Sequence, residues 1–96
     1  MSKIPCVYIL ASKPNGTIYT GVTSDLVKRI WQHKNKKSEG FTKKYNVSLL
    51  VWYESSETIE NAIIREKRIK SWKRQWKIEL IEKENPNWID LYDSIL

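Results

Sequence analysis

The acidic residue Glu66 lies on the apolar side of a predicted helix, where a carboxylate is costly to bury without a partner. At about 100° per residue, its side chain falls between those of Ala62 and Ile63, on the stripe that faces a core. Lys70, one turn further along, offers an intrahelical ion pair, which is the simpler explanation. The alternative is a site for a divalent cation beside bound phosphate, where the metal would polarise a phosphoryl oxygen.

Two other pairs of residues are spaced so that their members could act together. Arg29 and His33 lie four residues apart on a predicted helix, about 40° from each other, so both can reach one ligand. Tyr8 and Tyr19 lie on two predicted strands that pair as a hairpin. The ordinary explanations are a solvated helix face for the first pair and amphipathic packing for the second.

The residue counts argue against several kinds of site. One histidine excludes multi-histidine zinc chemistry, and one cysteine excludes an internal disulfide. The apolar neighbours of Cys6 indicate a small buried hydrophobe. Since the chain has no Ser/His/Asp set and no phosphate-binding glycine loop, acyl transfer and nucleotide hydrolysis are disfavoured.

These side chains must be positioned by a few strands and helices. Asn15-Gly16 between two apolar, β-branched runs predicts a β-hairpin. Polar residues at 23–25 and 55–58 provide N-caps for two helices, the second with a break at Ser71. The predicted elements are strands at 6–10, 17–22 and 47–54, the last one central, and helices from 26 to about 34 and from 57 to about 81, with a basic connection at 35–46 and a helical or turn-like tail.

The order β-β-α-β-α-α-α is typical of an α+β fold, in which three short strands form one sheet and helices cover at least one face. Ninety-six residues suit a single domain. We expect one unit at 1–96, with a core at about 4–82 and a C-terminal segment at about 85–96 that docks on it. Asn85-Pro86 separates the two, because a residue before proline is biased away from helix.

The charge distribution favours a nucleic-acid partner. There are 17 Lys and Arg residues against 11 Asp and Glu, a net charge of +6. Seven of the basic residues lie at 28–44 and seven at 65–77, with one acid in each stretch, whereas the chain from residue 78 onward is acidic. Such segregation is typical of proteins that neutralise phosphates, although two solvated helix faces would look the same.

The hydropathy of the chain argues against a membrane location. The longest uncharged apolar run, at 47–53, is far shorter than the roughly 18 residues that a membrane span needs. The N-terminus lacks the extended apolar core of a signal peptide. We therefore expect a cytoplasmic protein without membrane contact.

Five elements follow one another in a specific order: Cys6-Val7-Tyr8, Tyr19-Thr20-Gly21, Arg29 ten residues after the second tyrosine, His33 one turn later, and Glu66 on a later helix. In this order and spacing they resemble the GIY-YIG nuclease superfamily. The similarity is greatest to its small stand-alone bacterial proteins, through the stretches 19–33 and 85–91. Cys6 and Thr20 replace the Gly and Ile of the name-giving pattern, while both tyrosines are kept.

The resemblance implies a three-stranded antiparallel sheet flanked by helices, with one surface that cleaves DNA phosphodiesters. Glu66 would hold one Mg²⁺ or Mn²⁺ on the scissile phosphate, and Arg29 would stabilise the pentacovalent transition state. Tyr19 would be the general base, a role that requires nearby positive charge because phenols ordinarily titrate near pH 10. Tyr8 and His33 would position water or phosphate, with His33 as an alternative proton carrier.

The remaining site residues follow from the same resemblance or from charge. Gly21 and Asn85 would support the site, although Asn87 lies close enough to be the asparagine in question. The lysines predicted to contact phosphates are Lys34, Lys43, Lys44, Lys70 and Lys73.

Three functions stay open at the level of sequence. The first is an endonuclease acting on DNA, as in repair, and the sequence leaves open whether the substrate is plain, branched, flapped, damaged or single-stranded DNA, or RNA. Superfamily nucleases often carry a separate targeting domain; without one, the protein would be a weak or structure-directed nuclease or would depend on a partner protein for targeting. The second is a non-catalytic nucleic-acid-binding module that keeps the nuclease fold, with exposed aromatics stacking on bases. The third is an adaptor that docks a protein through the acidic segment at 85–96.

Overall fold

The computed structural model of the protein describes residues 3–35 and 40–96. Within them, the strands are β1 (Cys6–Ala11), β2 (Ile18–Thr23) and β3 (Leu49–Ser55). The helices are α1 (Leu26–Lys34), α2 (Phe41–Lys44), α3 (Ile59–Ser71) and α4 (Arg74–Glu84), followed by a 3₁₀ turn at Tyr92–Ile95. The predicted α+β class and element order are confirmed. The short helix α2 is an addition within the predicted connection at 35–46, of which residues 36–39 lie outside the described part.

The three strands form one antiparallel sheet in the order β2-β1-β3. β1 is therefore the central strand, and all six of its residues are buried. The prediction of a central strand at 47–54 is wrong, because β3 lies at an edge of the sheet. An apolar run indicates a strand that is shielded from solvent, but it does not tell what shields it. The outer edge of β3 is shielded by a segment that is not a strand.

The segment at 85–96, called here the C-terminal segment, covers that outer edge. The register between β1 and β3 shifts at Val51, a bulge residue without a partner in β1. Asn85 Nδ2 donates to the Val51 carbonyl at 3.1 Å, and the Leu91 N–H donates to the Leu50 carbonyl at 2.7 Å. Asp90 Oδ1 accepts from the Leu50 N–H at 3.2 Å. The C-terminal segment thus satisfies backbone groups that an exposed edge strand would leave to solvent.

The two faces of the sheet have separate cores, because successive side chains of a strand point to opposite sides. One core joins the sheet to α3 and α4 through the buried residues Val7, Ile9, Ala11, Ala62, Ile69 and Ile81. The other lies against α1 and the C-terminal segment and contains Tyr8, Leu10, Ile30, Val47 and Leu50. Helices therefore cover both faces, and the second core is the one that contains a motif tyrosine.

Local sequence signals set the ends of the hairpin and of the helices. Asn15 in the turn adopts a positive φ of 58°, whereas Gly16 is needed for space, since a Cβ there would lie 2.7 Å from Lys13 Cγ. Asp25 caps α1 and Thr58 caps α3 through their side chains, and α3 ends at the predicted break. None of the helices within residues 3–35 and 40–96 is long and apolar enough to cross a membrane.

Candidate active site

The two motif tyrosines meet on one face of the sheet because of the β1–β2 register. Tyr8 pairs with Gly21 and Leu10 pairs with Tyr19, which places both tyrosine side chains on the α1 side. Their ring centroids are 6.4 Å apart. A Cβ at position 21 would lie 2.5 Å from Cζ of Tyr8 and 3.0 Å from Cε2 of Tyr19. Gly21 therefore allows the two rings to lie side by side.

Helix α1 brings the histidine against these tyrosines. His33 is 5% exposed, its Nε2 lies 3.0 Å from the Tyr8 hydroxyl, and its Nδ1 lies 3.1 Å from the hydroxyl of Thr42. Its ring centroid is 5.8 Å from that of Tyr8 and 5.9 Å from that of Tyr19. A solvated position, the ordinary explanation for this residue, is wrong because α1 packs its His33 side onto the sheet.

Burial changes the proton affinities of His33 and Tyr8 in opposite directions. Burial, followed by the positive charge of Arg29, lowers the pKa of His33 to about 4. Its imidazole is neutral near pH 7, so one ring nitrogen donates a hydrogen bond and the other accepts one. Burial raises the pKa of Tyr8 to about 12, an effect that Arg29 opposes and that Tyr19 and, to a lesser degree, Glu66 reinforce. Tyr8 and His33 thus form a hydrogen-bonded pair of neutral groups.

Arg29 lies one turn before His33 on α1, beside this pair. Its positive charge acts to lower the pKa values of both Tyr8 and His33. Nη1 donates to Oε1 of Gln32 at 3.2 Å, and the side chain is partly exposed. The guanidinium has five N–H donors in all, so Arg29 can bind an anion at the surface while it stays bonded to Gln32.

Glu66 reaches the same site from α3, where Lys70 lies between its carboxylate and the Tyr19 ring. Its side chain is only 12% exposed and accepts from Lys70 Nζ at 3.0 Å. The intrahelical partner considered for Glu66 is therefore present. The same ammonium lies 5.6 Å from the ring centroid of Tyr19, so Lys70 connects the carboxylate to the second tyrosine.

The residues at this site fit a divalent cation that has one protein ligand. Among residues 3–35 and 40–96, no group of three or more His, Cys, Asp and Glu side chains could enclose a metal. Mg²⁺ is commonly held by one or two carboxylates, with water and substrate phosphates as the other ligands. Glu66 is a carboxylate connected to Tyr19 through Lys70, and it could hold Mg²⁺ or Mn²⁺ in this way.

Helix α2 contributes site residues that the sequence pattern did not predict. Thr42 is buried, and its hydroxyl is hydrogen-bonded to Nδ1 of His33. Phe41 stacks on Tyr19 with centroids 6.1 Å apart, and the Phe41 and Tyr45 centroids are 4.7 Å apart. Phe41 and Tyr45 are each nearly half exposed, so the aromatic row runs from the partly exposed Tyr19 to solvent. The i, i+4 spacing of the two aromatics was the available signal, but a four-residue helix is too short to show periodicity.

Four of the predicted phosphate-binding lysines lie at the surface. Lys43 and Lys44 are on α2, next to the aromatic row, and the Lys44 ammonium is 5.4 Å from the ring centroid of Tyr45. Lys70 lies at the site itself. Lys73 precedes α4, with its ammonium 5.1 Å from the ring centroid of Trp76. The structure therefore places Lys70 at Tyr19, and it places Lys43 and Lys44 on the helix that carries the aromatic row.

Lys34 has internal partners instead. Its ammonium forms an ion pair with the Asp90 carboxylate and donates to the Ser48 carbonyl at 3.1 Å. It also lies 5.2 Å from the centroid of the Tyr92 ring. A phosphate contact from Lys34 would break the pair that joins α1 to the C-terminal segment.

Asn85 contacts the backbone and not the cluster of tyrosines. Besides Val51, its side chain binds the carbonyl of Ile89 at 2.8 Å and the N–H of Ile89 at 3.0 Å. Asn85 is buried and Asn87 is exposed, so the supporting role fits Asn85. Trp88, also in the C-terminal segment, is 3% exposed, which shows that this segment packs on its own chain.

Comparison with known proteins identifies the family to which the chain belongs. A profile of the GIY-YIG catalytic domain matches residues 4–79, and the chain belongs to this family, within the nuclease superfamily. The predicted family is confirmed, and Cys6 and Thr20 are substitutions within it.

The relatives that resemble this chain include several UPF0213 proteins. A UPF0213 protein of Staphylococcus saprophyticus is 38% identical over 77 residues, which cover 80% of this chain and 93% of that protein. A UPF0213 protein of Staphylococcus epidermidis is 35% identical over the same lengths. The solution NMR structure of a UPF0213 protein from Bacillus halodurans matches with a TM-score of 0.55 at 28% identity, covering 90% of each chain.

Proposed function

We propose that the protein is a metal-dependent endonuclease that hydrolyses DNA phosphodiester bonds in the cytoplasm. The observation that carries this proposal is the convergence of Tyr8, Tyr19, Arg29, His33 and Glu66 from β1, β2, α1 and α3 on one partly exposed site. Residues far apart in the chain supply a phenol, a guanidinium and a carboxylate to the same place. Membership of a nuclease superfamily supports a phosphodiester substrate.

Tyr19 and Arg29 act on the reacting atoms in this proposal. The oxygen of a water molecule forms a bond to phosphorus, and the bond from phosphorus to the leaving sugar oxygen breaks. Tyr19, after giving its own phenolic proton to solvent, takes the proton that the water loses, and the leaving oxygen takes a proton from solvent. The Arg29 guanidinium stabilises the extra negative charge of the pentacovalent transition state. Both side chains are partly exposed, as this contact requires.

Tyr8 and His33 hold the site in place. The pKa of Tyr8 is raised to about 12 and that of His33 is lowered to about 4, so neither group readily changes protonation near pH 7. These values favour a positioning role for His33 over the alternative role of proton carrier. Thr42 orients the imidazole from the far side, as an outer hydrogen-bond partner does for a catalytic histidine.

Glu66 is the residue that would hold Mg²⁺ or Mn²⁺. When bound, such a metal polarises a phosphoryl oxygen and takes up developing negative charge. The low exposure of Glu66 strengthens its interaction with a cation, because fewer water dipoles screen the carboxylate.

The aromatic row and its lysines support a nucleic-acid substrate. Phe41 and Tyr45 offer exposed ring faces beside Tyr19, and Lys43 and Lys44 supply positive charge next to them. Nucleic-acid-binding proteins use such combinations of aromatic stacking and phosphate contacts. Selection of branched or damaged DNA would come from a partner protein.

The test is cleavage of labelled linear, single-stranded, flapped and branched DNAs with Mg²⁺, Mn²⁺ or EDTA. We expect metal-dependent cutting that falls by about 10²-fold or more in Glu66→Ala and Tyr19→Phe, because each change removes a group that acts in the transition state. Glu60→Ala is the matched control, since it removes an exposed carboxylate from the same helix. Cutting by both site variants at the rate of the parent would refute the proposal.

The ion pair between Glu66 and Lys70 favours one alternative, a nucleic-acid-binding module without catalysis. In that case Glu66 is neutralised within the protein and the lysines bind phosphates. Its signature is binding of every DNA without cutting, with an affinity that falls steeply with salt and does not depend on metal. The same set of reactions, with binding measured alongside cutting, separates the two functions.

A further inference from the structure

We propose that Lys70 and the divalent cation compete for the Glu66 carboxylate, so that Lys70 sets the metal concentration at which the site fills. This inference rests on the proposed function, in which Glu66 is the metal ligand. It assigns to Lys70 the role of an internal counter-ion, in addition to the phosphate contact predicted from the charge pattern.

The contact between the two side chains is direct. Lys70 Nζ lies 3.0 Å from Oε2 of Glu66, a charge-assisted hydrogen bond. The Glu66 side chain is 12% exposed, so a nearby positive charge is needed to offset the loss of hydration of its carboxylate. An ammonium and a divalent cation repel each other, and they cannot both stay against the same carboxylate at low cost. Binding of a metal to Glu66 therefore requires that its ion pair with Lys70 be broken.

The Lys70 side chain can move away from Glu66 without movement of α3. Its side chain is 47% exposed, about four times as much as that of Glu66, and ends on a flexible four-carbon stem. Its ammonium already lies over the Tyr19 ring, 5.6 Å from the centroid. Once released, the ammonium stays at the substrate side of the site, where a DNA phosphate can accept its hydrogen bonds. A DNA phosphate that binds the Lys70 ammonium draws it away from Glu66, and the metal binds more tightly to a carboxylate from which Lys70 has been released. DNA and metal should therefore each strengthen the binding of the other.

The experiment is titration of the full chain with Mn²⁺ alone, with free Mn²⁺ measured by electron paramagnetic resonance. Lys70→Met should bind Mn²⁺ about three- to tenfold more tightly than the parent, the range expected for the loss of one partly exposed ion pair and its like-charge repulsion. Lys70→Arg keeps the positive charge and should stay within about twofold of the parent. Lys67→Met removes the same charge from an exposed position of the same helix and is the matched control.

The outcomes separate this inference from the proposed function. Tighter binding in Lys70→Met, with Lys67→Met like the parent, supports competition. Equal Mn²⁺ affinities in the parent, Lys70→Met and Lys67→Met overturn the inference of competition. If Glu66→Gln nevertheless abolishes Mn²⁺ binding in that case, Glu66 is still the metal ligand. If neither the parent nor Lys70→Met binds Mn²⁺ in a way that Glu66→Gln removes, then the inference and the metal-ligand role of Glu66 both fail. Circular dichroism and thermal unfolding show that each variant is folded.

Discussion

The buried His33 should make the protein less stable in mild acid, and the sign of the effect follows from its pKa. In the folded protein that pKa is lowered to about 4, against an ordinary value of 6.5, because burial disfavours the charged imidazole. The unfolded chain therefore binds a proton more tightly than the folded one. The contribution of a neutral His33 to stability is fully present above pH 6.5 and is lost as the pH falls towards 4.

The size of this effect follows from the same two pKa values. Their difference corresponds to about 3 kcal/mol over the whole range, at about 1.4 kcal/mol per unit. Of this, about 1 kcal/mol should be lost between pH 7.5 and pH 5.5, where most carboxylates are still ionised. The chain has one histidine, so His33 should account for most of the change in this interval.

The assay is urea unfolding, followed by tryptophan fluorescence, at pH 7.5, 6.5 and 5.5. His33→Gln is the reference, because its amide can donate and accept hydrogen bonds but does not titrate. The free energy of unfolding of the parent should fall by about 1 kcal/mol relative to that of His33→Gln. An NMR titration of the imidazole should give a pKa near 4. Parallel pH dependences of the two proteins, or a pKa near 6.5 by NMR, would refute the reasoning.

Two substitutions test the packing that supports the site. Gly21→Ala should lower the free energy of unfolding by about 1–3 kcal/mol and shift the imidazole resonances of His33, because the added Cβ would lie 2.5 Å from the Tyr8 ring; stability and spectra like those of the parent would contradict this. Asn85→Ala should cost about 2–4 kcal/mol in urea unfolding, since it leaves the Val51 carbonyl and the Ile89 backbone without partners. Asn87→Ala, at an exposed position, should stay within about 0.5 kcal/mol, and equal effects of the two asparagines would contradict the structural role of Asn85.

Local features of the chain were predictable because each depends on neighbours in sequence. The Asn15-Gly16 turn, the caps at Asp25 and Thr58 and the helix break at Ser71 follow from backbone chemistry within a few residues. The position of Glu66 on the apolar stripe of α3 follows in the same way from helical periodicity, as does its pairing with Lys70.

The environment of His33 shows where local reasoning fails. Its place on α1 was predictable, but its partner Thr42 lies in a short helix inside a connection that was assigned only a basic character. Whether a histidine is solvated or buried with a pKa near 4 depends on which surface packs against its helix. That information is not contained in the spacing of Arg29 and His33.

By itself, the sequence determined the family, the order of elements and the set of side chains available for chemistry, because motif spacing and helix and strand periodicity are properties of the chain. Only the tertiary structure decided that β1 is central, that Asn85 and Asp90 cover the edge of β3, and that Lys34 is held inside by Asp90. These outcomes depend on contacts between residues 34 to 56 positions apart, and local preferences do not select among such contacts.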